Sequence, residues 1–116
     1  MLRQEKGPGW VSVGTAACTV YSCYASPNAP LQDFERFLEG LKASVSKCSG
    51  PVLVGGDFNV KAFMWGFRVE DRRGTALADL IAELGMVIMN QGYAPTFLRG
   101  ASSSVIDITF GTAALK

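Results

Sequence analysis

The chain has 116 residues, of which 48% are hydrophobic and 18% are charged, and its formal net charge at pH 7 is +1. This length suits one domain, and so large a hydrophobic share can bury a core, which excludes an intrinsically disordered protein. The small net charge excludes the strong basic field that is typical of many nucleic-acid-binding domains, so any contact with DNA must be local.

The cysteines and the apolar segments bear on the compartment in which the protein works. Cys18, Cys23 and Cys48 are odd in number and have no Cys-x-x-Cys spacing, so we interpret them as reduced core residues of an intracellular protein. No apolar run reaches the roughly 18 residues that a membrane-spanning helix needs, and the start of the chain lacks the apolar centre of a signal peptide. We therefore expect no membrane association and no targeting signal.

The beginning of the chain predicts a polar edge followed by two strands. Residues 1–9 are polar and turn-like, and we expect them to be unstructured or to mark the edge of a single domain at 10–116. Residues 10–13 and 18–24 are rich in β-branched and aromatic side chains, which favour β-strands. The short segment between them predicts a turn.

An amphipathic helix is predicted next. Apolar residues recur at helical spacing from Leu31 to Leu41, and Asp33 places a negative charge near the positive end of the helix dipole. Because proline is tolerated in the first turn, we expect this helix to begin near Pro30 and to end near Lys47.

The most informative segment is the apolar run at 51–54, which ends in two glycines, a carboxylate and an amide. Such a run predicts a buried central strand, and Gly55 and Gly56 would let the chain turn or let a ligand approach. Side chains two apart in an extended chain share one face, so Asp57 and Asn59 would point to the same side. The pair indicates chemistry on a phosphate, although an Asx-turn after the strand is the structural alternative.

The second half of the chain predicts a loop, a helix and short strands. Basic and aromatic side chains alternate at 61–73, a pattern that is typical either of a nucleic-acid contact or of a solvated loop pinned by its aromatics. A second amphipathic helix then ends at Gly85, and strands are expected at 86–89, 96–98 and 104–110. Strands mixed with helices predict an α/β layered architecture.

Six segments carry motifs whose order is more specific than any one of them. Gly-Asp-Phe-Asn follows the central strand, and the others lie at 20–28, 65–66 with 73–77, 84–90, 95–97 and 102–110. In this order they resemble the endonuclease/exonuclease/phosphatase superfamily, and Trp65-Gly66 and Arg73-Gly74 resemble the endonuclease domains of non-LTR retrotransposons. The resemblance implies an α/β fold that is part of a DNase I-like β-sandwich with helices on its outer faces.

Two motifs of that superfamily have no counterpart in this chain. Its metal-binding glutamate precedes the tyrosine motif, whereas Glu5 is the only acidic residue before the first expected strand and has a polar, turn-like setting. Its closing Ser-Asp-His motif is absent, and the chain contains no histidine. We therefore expect the middle of such a domain, incomplete at both ends and weak or inactive by itself.

The resemblance also implies a role for each matching residue. Asp57 would bind Mg²⁺ or Mn²⁺ and hold or deprotonate the attacking water, and Asn59 would orient that water or a phosphate oxygen. Asp107 matches the aspartate that fixes the superfamily's histidine, while Tyr24 and Asn28 match residues that contact the scissile phosphate. Further contacts with substrate are expected from Lys61, Trp65, Arg73 and Ser104.

Several of these residues have a structural interpretation as well. Tyr24 could pack at a strand end, Asp107 could face solvent from a half-buried strand, and Asn28 could cap the first helix. Only their joint order favours function.

The sequence thus predicts a metal-dependent endonuclease that nicks DNA, as in the target-site cleavage of a retrotransposon. Its expected partners are DNA and a linked reverse transcriptase domain outside this chain, and its expected site of action is the nucleus. A non-catalytic, nucleic-acid-binding or vestigial remnant of the domain is the main alternative. A phosphatase of the same superfamily is a weaker one, because Trp65-Gly66, Arg73-Gly74 and the serine run favour the nuclease branch.

Overall fold

The computed structural model describes residues 2–26, 28–60, 72–89 and 105–113, with the backbone alone at 60 and 105–107. These residues form six strands and two helices, which confirms the mixed α/β prediction. In chain order the elements are β1 (Arg3–Gly7), β2 (Trp10–Gly14), β3 (Thr19–Tyr24), α1 (Leu31–Ser46), β4 (Val52–Val60), α2 (Arg72–Glu83), β5 (Val87–Ile88) and β6 (Val105–Gly111).

All the described strands belong to one sheet, rather than to parts of two, and their order is β1-β2-β3-β4-β6-β5. Strands β3 and β4 are parallel, and every other neighbouring pair is antiparallel. A parallel pair needs a crossover connection, and α1 supplies it between β3 and β4. Because β3 and β4 are parallel, their carboxyl ends lie at the same end of the sheet.

Strand β1 occupies a segment for which the sequence predicted no regular structure. It pairs with β2 from Arg3↔Gly14 to Gly7↔Trp10, and Gly9, with φ of 81°, lies in the tight turn between them. The strand lies at the edge of the sheet and its side chains are largely exposed, so it carries no alternating apolar pattern. Because β1 is polar and exposed, the apolar pattern of the sequence did not predict it.

One face of the sheet packs against α1, and the core lies between them. The Phe37 ring of α1 is centred 6.0 Å from that of Phe58 on β4, which in turn lies 6.0 Å from that of Phe110 on β6. The opposite face carries exposed side chains, with Val11, Val20 and Tyr24 exposed by 50%, 41% and 58%. The buried residues of both helices follow the predicted apolar stripes. No helix in the described ranges is long and apolar enough to cross a membrane.

The ends of the helices test two local predictions. α2 ends where expected: Gly85 has φ of 66°, its amide donates to Ala82, and the Met86 amide donates to Ile81, which together form a Schellman motif. α1 has Pro30 as its N-cap residue and no side-chain capping bond there, so the alternative in which Asn28 caps this helix is wrong.

Candidate active site

Strand β4 is longer than the sequence predicted, because it continues through both glycines to Val60. Gly56 pairs with Cys23 of β3, and a Cβ atom at this glycine would lie less than 3.0 Å from the Cys23 backbone. The glycine therefore serves close strand pairing rather than a turn. As a result, the polar residues after it are still held in the sheet.

Asp57 lies opposite two other residues that the sequence singled out. It pairs with Tyr24 on β3 and with Asp107 on β6, so the three residues occupy one row across three neighbouring strands. Adjacent strands are about 4.8 Å apart, so their backbones lie close together. The Oδ1 atom of Asp57 is shielded from solvent.

Asn59 lies where the register of β4 changes. The ladder with β6 shifts between Asp57 and Val60, and Asn59 has φ of 50°, a left-handed conformation that asparagine tolerates better than most residues. The simple alternation that would place Asp57 and Asn59 on one face is therefore interrupted. The Asn59 side chain donates from Nδ2 to the carbonyl oxygen of Ala25 at 2.9 Å, which anchors it on the chain just after β3.

Ala25 links the ends of β3 and β4, a role that sequence reasoning missed. Its amide donates to the carbonyl oxygen of Asp57 at 2.8 Å, and its own carbonyl accepts the bond from Asn59. The contacts use only the backbone of Ala25, so no sequence signal could have identified it.

Tyr24, which belongs to this row, and Asn28, four residues after it, are both exposed. Because the Tyr24 side chain is 58% exposed, the alternative in which it packs as a half-buried residue fits poorly. The backbone amide of Asn28 donates to the Ser26 hydroxyl at 3.2 Å. Both side chains are therefore open to solvent.

Arg73, at the start of α2, has protein partners. Its Nη2 atom donates to the Ser26 carbonyl at 2.8 Å, and its Nη1 atom donates to the Ala29 carbonyl at 3.2 Å. The guanidinium carbon lies 4.5 Å from the centre of the Phe34 ring. The contact that the sequence predicted between Arg73 and substrate stays a prediction.

Other predicted site residues lie beyond what the structure describes. Lys61, Trp65 and Ser104 fall outside the described residues, as does the strand expected at 96–98. Asp107 is described only by its backbone and its pairing with Asp57.

Glu5 does not join the Asp57 row, as its sequence setting suggested. Its position on β1 continues through Ser12 and Tyr21 to Val54, which lies three residues before Asp57 on β4. Its carboxylate instead accepts a hydrogen bond from Ser44 of α1 at 3.5 Å.

The donor set for a metal ion is limited among the described side chains. No group of three His, Cys, Asp or Glu residues lies close enough to bind a metal in the part of the chain that is described. Asp57 supplies one carboxylate, the hard oxygen ligand that Mg²⁺ and Mn²⁺ prefer, and so fits a site completed by water and phosphate.

Cys23 lies next to the row but is unsuited to act as a nucleophile. It is buried and pairs with Gly56, and burial raises the pKa of its thiol to about 12. The thiolate is the reactive form, so the side chain stays protonated and inert at neutral pH. Cys23 is therefore a core residue, as the sequence predicted.

The family model described as endonuclease-reverse transcriptase matches residues 18–116. The chain belongs to this family. Among solved structures, it is similar to the endonuclease domain of TRAS1, a telomere-specific non-LTR retrotransposon, with 31% sequence identity and a TM-score of 0.71. The match covers 97% of this chain and 55% of that one. These findings confirm the resemblance to retrotransposon endonuclease domains.

The fold extends beyond the endonuclease-reverse transcriptase family. The chain is similar to a 3′-5′ exonuclease (NExo) from Neisseria meningitidis, with a TM-score of 0.61 and 14% identity over 91% of this chain and 53% of that one. At this identity the likeness shows the shared DNase I-like fold alone. The chain spans about half the length of both solved proteins. No curated protein matches it.

Proposed function

We propose that this chain carries part of the catalytic centre of a DNA endonuclease domain, of the kind that nicks the target site of a non-LTR retrotransposon. The observation that supports this most is the row in which Asp57 lies between Tyr24 and Asp107 on neighbouring strands. Family membership over residues 18–116 and the 31% identity to the TRAS1 endonuclease domain support the same activity.

Mg²⁺ or Mn²⁺ is the proposed cofactor, and Asp57 is its proposed ligand. Mg²⁺ is usually held by one or two carboxylates together with waters and substrate phosphates. The single described carboxylate of Asp57, near the carboxyl end of β4, is compatible with such a site. When bound, such an ion polarises a phosphoryl oxygen and stabilises the negative charge that develops in phosphodiester hydrolysis.

The side chains at the end of β3 would bind the scissile phosphate. Tyr24 and Asn28 are exposed. The hydroxyl of Tyr24 and the side-chain amide of Asn28 would each donate a hydrogen bond to a phosphate oxygen. Asp57 would hold the attacking water or accept its proton. Asn59, anchored on Ala25, would orient that water or a phosphate oxygen.

Protonation of the departing 3′-oxygen is the step for which this chain lacks a residue that matches the superfamily's histidine. Asp107 matches the aspartate that fixes a histidine in the superfamily, and this chain has no histidine. Solvent would then have to supply the proton, so we expect slow turnover by the chain alone.

The contacts with DNA would extend to either side of the scissile phosphate. Lys61 would pair with a phosphate, Trp65 would stack on or between bases, and Ser104 would donate a hydrogen bond to the backbone. A linked reverse transcriptase domain and action in the nucleus belong to the same proposal, because target-site nicking acts on chromosomal DNA.

A second candidate function is a non-catalytic nucleic-acid-binding remnant of the domain. This role needs no proton donor for the leaving group, and the chain contains no histidine. Such a remnant would still bind DNA through its basic and aromatic side chains but would leave the phosphodiester bond intact.

Nicking of supercoiled plasmid separates these functions. The purified chain is incubated with plasmid and Mg²⁺, beside the same chain with EDTA and beside Asp57→Asn, which keeps the size of the side chain but removes its charge. We expect Mg²⁺-dependent nicks that the variant does not produce. Binding without nicking would support the remnant, and a folded chain that does neither would overturn both proposals.

A further inference from the structure

The guanidinium of Arg73 joins α2 to the connection between β3 and α1. Its two terminal nitrogens donate to the carbonyl oxygens of Ser26 and Ala29, on either side of Asn28. Its central carbon lies over the ring of Phe34, 4.5 Å from the ring centre, and Phe34 is 2% exposed. The planar fork of an arginine can bridge two carbonyls and stack on a ring at once, whereas the point charge of a lysine cannot.

The connection that Arg73 holds leads directly to the Asp57 row. Ala25, which precedes Ser26, donates its amide hydrogen to the carbonyl oxygen of Asp57 and accepts a bond from Asn59. The path from the guanidinium to β4 therefore passes through one short stretch of backbone, from Ser26 to Ala25. Ala25 is thus tied to β4, and Ser26 and Ala29 are tied to α2.

The position of the guanidinium also argues against a contact with DNA. Its Nε atom is shielded from solvent and has no hydrogen-bond partner among the described residues. The two terminal nitrogens each donate to a backbone carbonyl, and one face of the group is covered by Phe34. Little of the group is left to pair with a phosphate.

We propose that Arg73 is a positioning residue of the nuclease site: it fixes the connection after β3 and thereby places Tyr24 and Asn28 relative to Asp57. This inference rests on the proposed function for its catalytic consequence. Its structural half, that the guanidinium holds Ser26 and Ala29 in place, is independent of that function.

The first test measures amide hydrogen exchange in residues 25–29. The amides of Ala25, Asn28 and Ala29 each donate a hydrogen bond in the native structure, so each reports on the order of this connection. In Arg73→Ala we expect these amides to exchange roughly tenfold faster, a factor that corresponds to the loss of one or two hydrogen bonds. The Thr15 amide, bonded to Cys18 at the far end of the sheet, should keep its rate.

Two further variants keep this test sound. Arg73→Lys preserves the positive charge but loses the fork, so it should loosen the same amides, and it is the variant to use if Arg73→Ala does not fold. Arg36→Ala removes an exposed arginine of α1 whose described ion pair is with Asp33, so it matches the change in charge and should leave the connection unaltered. Unchanged exchange at residues 25–29 in both Arg73 variants would overturn the proposal.

The second test separates positioning from contact with phosphate. One lost phosphate contact lowers the slope of log K for DNA binding against log salt by about 0.9. We expect Arg73→Ala to keep the wild-type slope and to nick DNA more slowly. A slope reduced by about one would show that Arg73 binds DNA instead. If the wild-type chain neither binds nor nicks DNA, the proposed function fails and the exchange measurements still decide the positioning role.

Discussion

The side chain of Asn59 donates a hydrogen bond from Nδ2 to the carbonyl oxygen of Ala25 at 2.9 Å. Because the Ala25 amide donates in turn to the carbonyl oxygen of Asp57 at 2.8 Å, the ends of β3 and β4 are joined in both directions. These two bonds tie together the strand ends that carry the candidate catalytic groups. Asn59 thus supports the site structurally, whether or not it contacts substrate.

The left-handed backbone and the hydrogen bond of Asn59 can be measured separately. Asn59→Ala loses the bond and also strains a backbone with φ of 50°, so we expect a loss of about 2 kcal/mol in the free energy of unfolding. Asn59→Gly loses only the bond and should cost about 1 kcal/mol. Urea denaturation measures both values, and equal losses would contradict the role of the backbone conformation.

Gly56 is predicted to be the most sensitive glycine of β4. A Cβ atom there would collide with the backbone of Cys23 on the neighbouring strand, and the strand cannot move without displacing Asp57. We expect Gly56→Ala to lower the free energy of unfolding by at least about 3 kcal/mol, or to make the chain insoluble. Gly50→Ala is the matched control, because a Cβ at that glycine meets nothing within 4 Å. Similar stabilities for the two variants would argue against the close pairing of β3 and β4.

The buried Cys23 thiol predicts a loss of stability in alkaline solution. Burial raises its pKa from 9.0 to about 12, so above pH 9 the unfolded chain loses this proton while the native chain keeps it. The unfolded state then binds fewer protons, and the free energy of unfolding falls as the pH rises from 9 towards 12. The buried Tyr21 acts in the same sense, because desolvation raises its pKa from 10.0 to about 12.

Urea midpoints measured between pH 8 and pH 11 should show this decline, mostly above the ordinary thiol pKa of 9.0. Cys23→Ala should have a flatter profile, although its stability at pH 8 is lower because a buried side chain has been truncated. Identical pH profiles for the variant and the wild type would contradict the assignment of the effect to Cys23.

Features that depend on neighbours along the chain could be predicted from the sequence. The bounds of α1 follow from apolar residues at helical spacing, and the end of α2 follows from Gly85, which adopts the left-handed conformation that a helix end often needs. The fold class followed from motifs in a fixed order, and the assignment of Asp57 to the site stays a prediction.

Features that depend on contacts distant in sequence could not be predicted. Strand β1 is exposed and polar, so only its pairing with β2 defines it. The continuation of β4 through Gly56 depends on the close approach of β3, and the partners of Arg73 are backbone carbonyls that the sequence cannot identify. Ala25 was missed for the same reason, because it bonds to Asp57 and Asn59 through its backbone alone.

Single-turnover cleavage of a short, end-labelled DNA duplex is the most direct test that Asp57 belongs to a nuclease centre. The chain is held in excess over the duplex with Mg²⁺ present, so that even slow cleavage is detected, and Asp57→Asn is compared under the same conditions after its fold has been verified by circular dichroism. We expect products with a 3′-hydroxyl and a 5′-phosphate end, formed at least about a hundredfold more slowly by the variant, as is usual when a group that acts on the reacting water is removed. Cleavage at the same rate by both proteins would contradict the assignment of Asp57 to the catalytic centre.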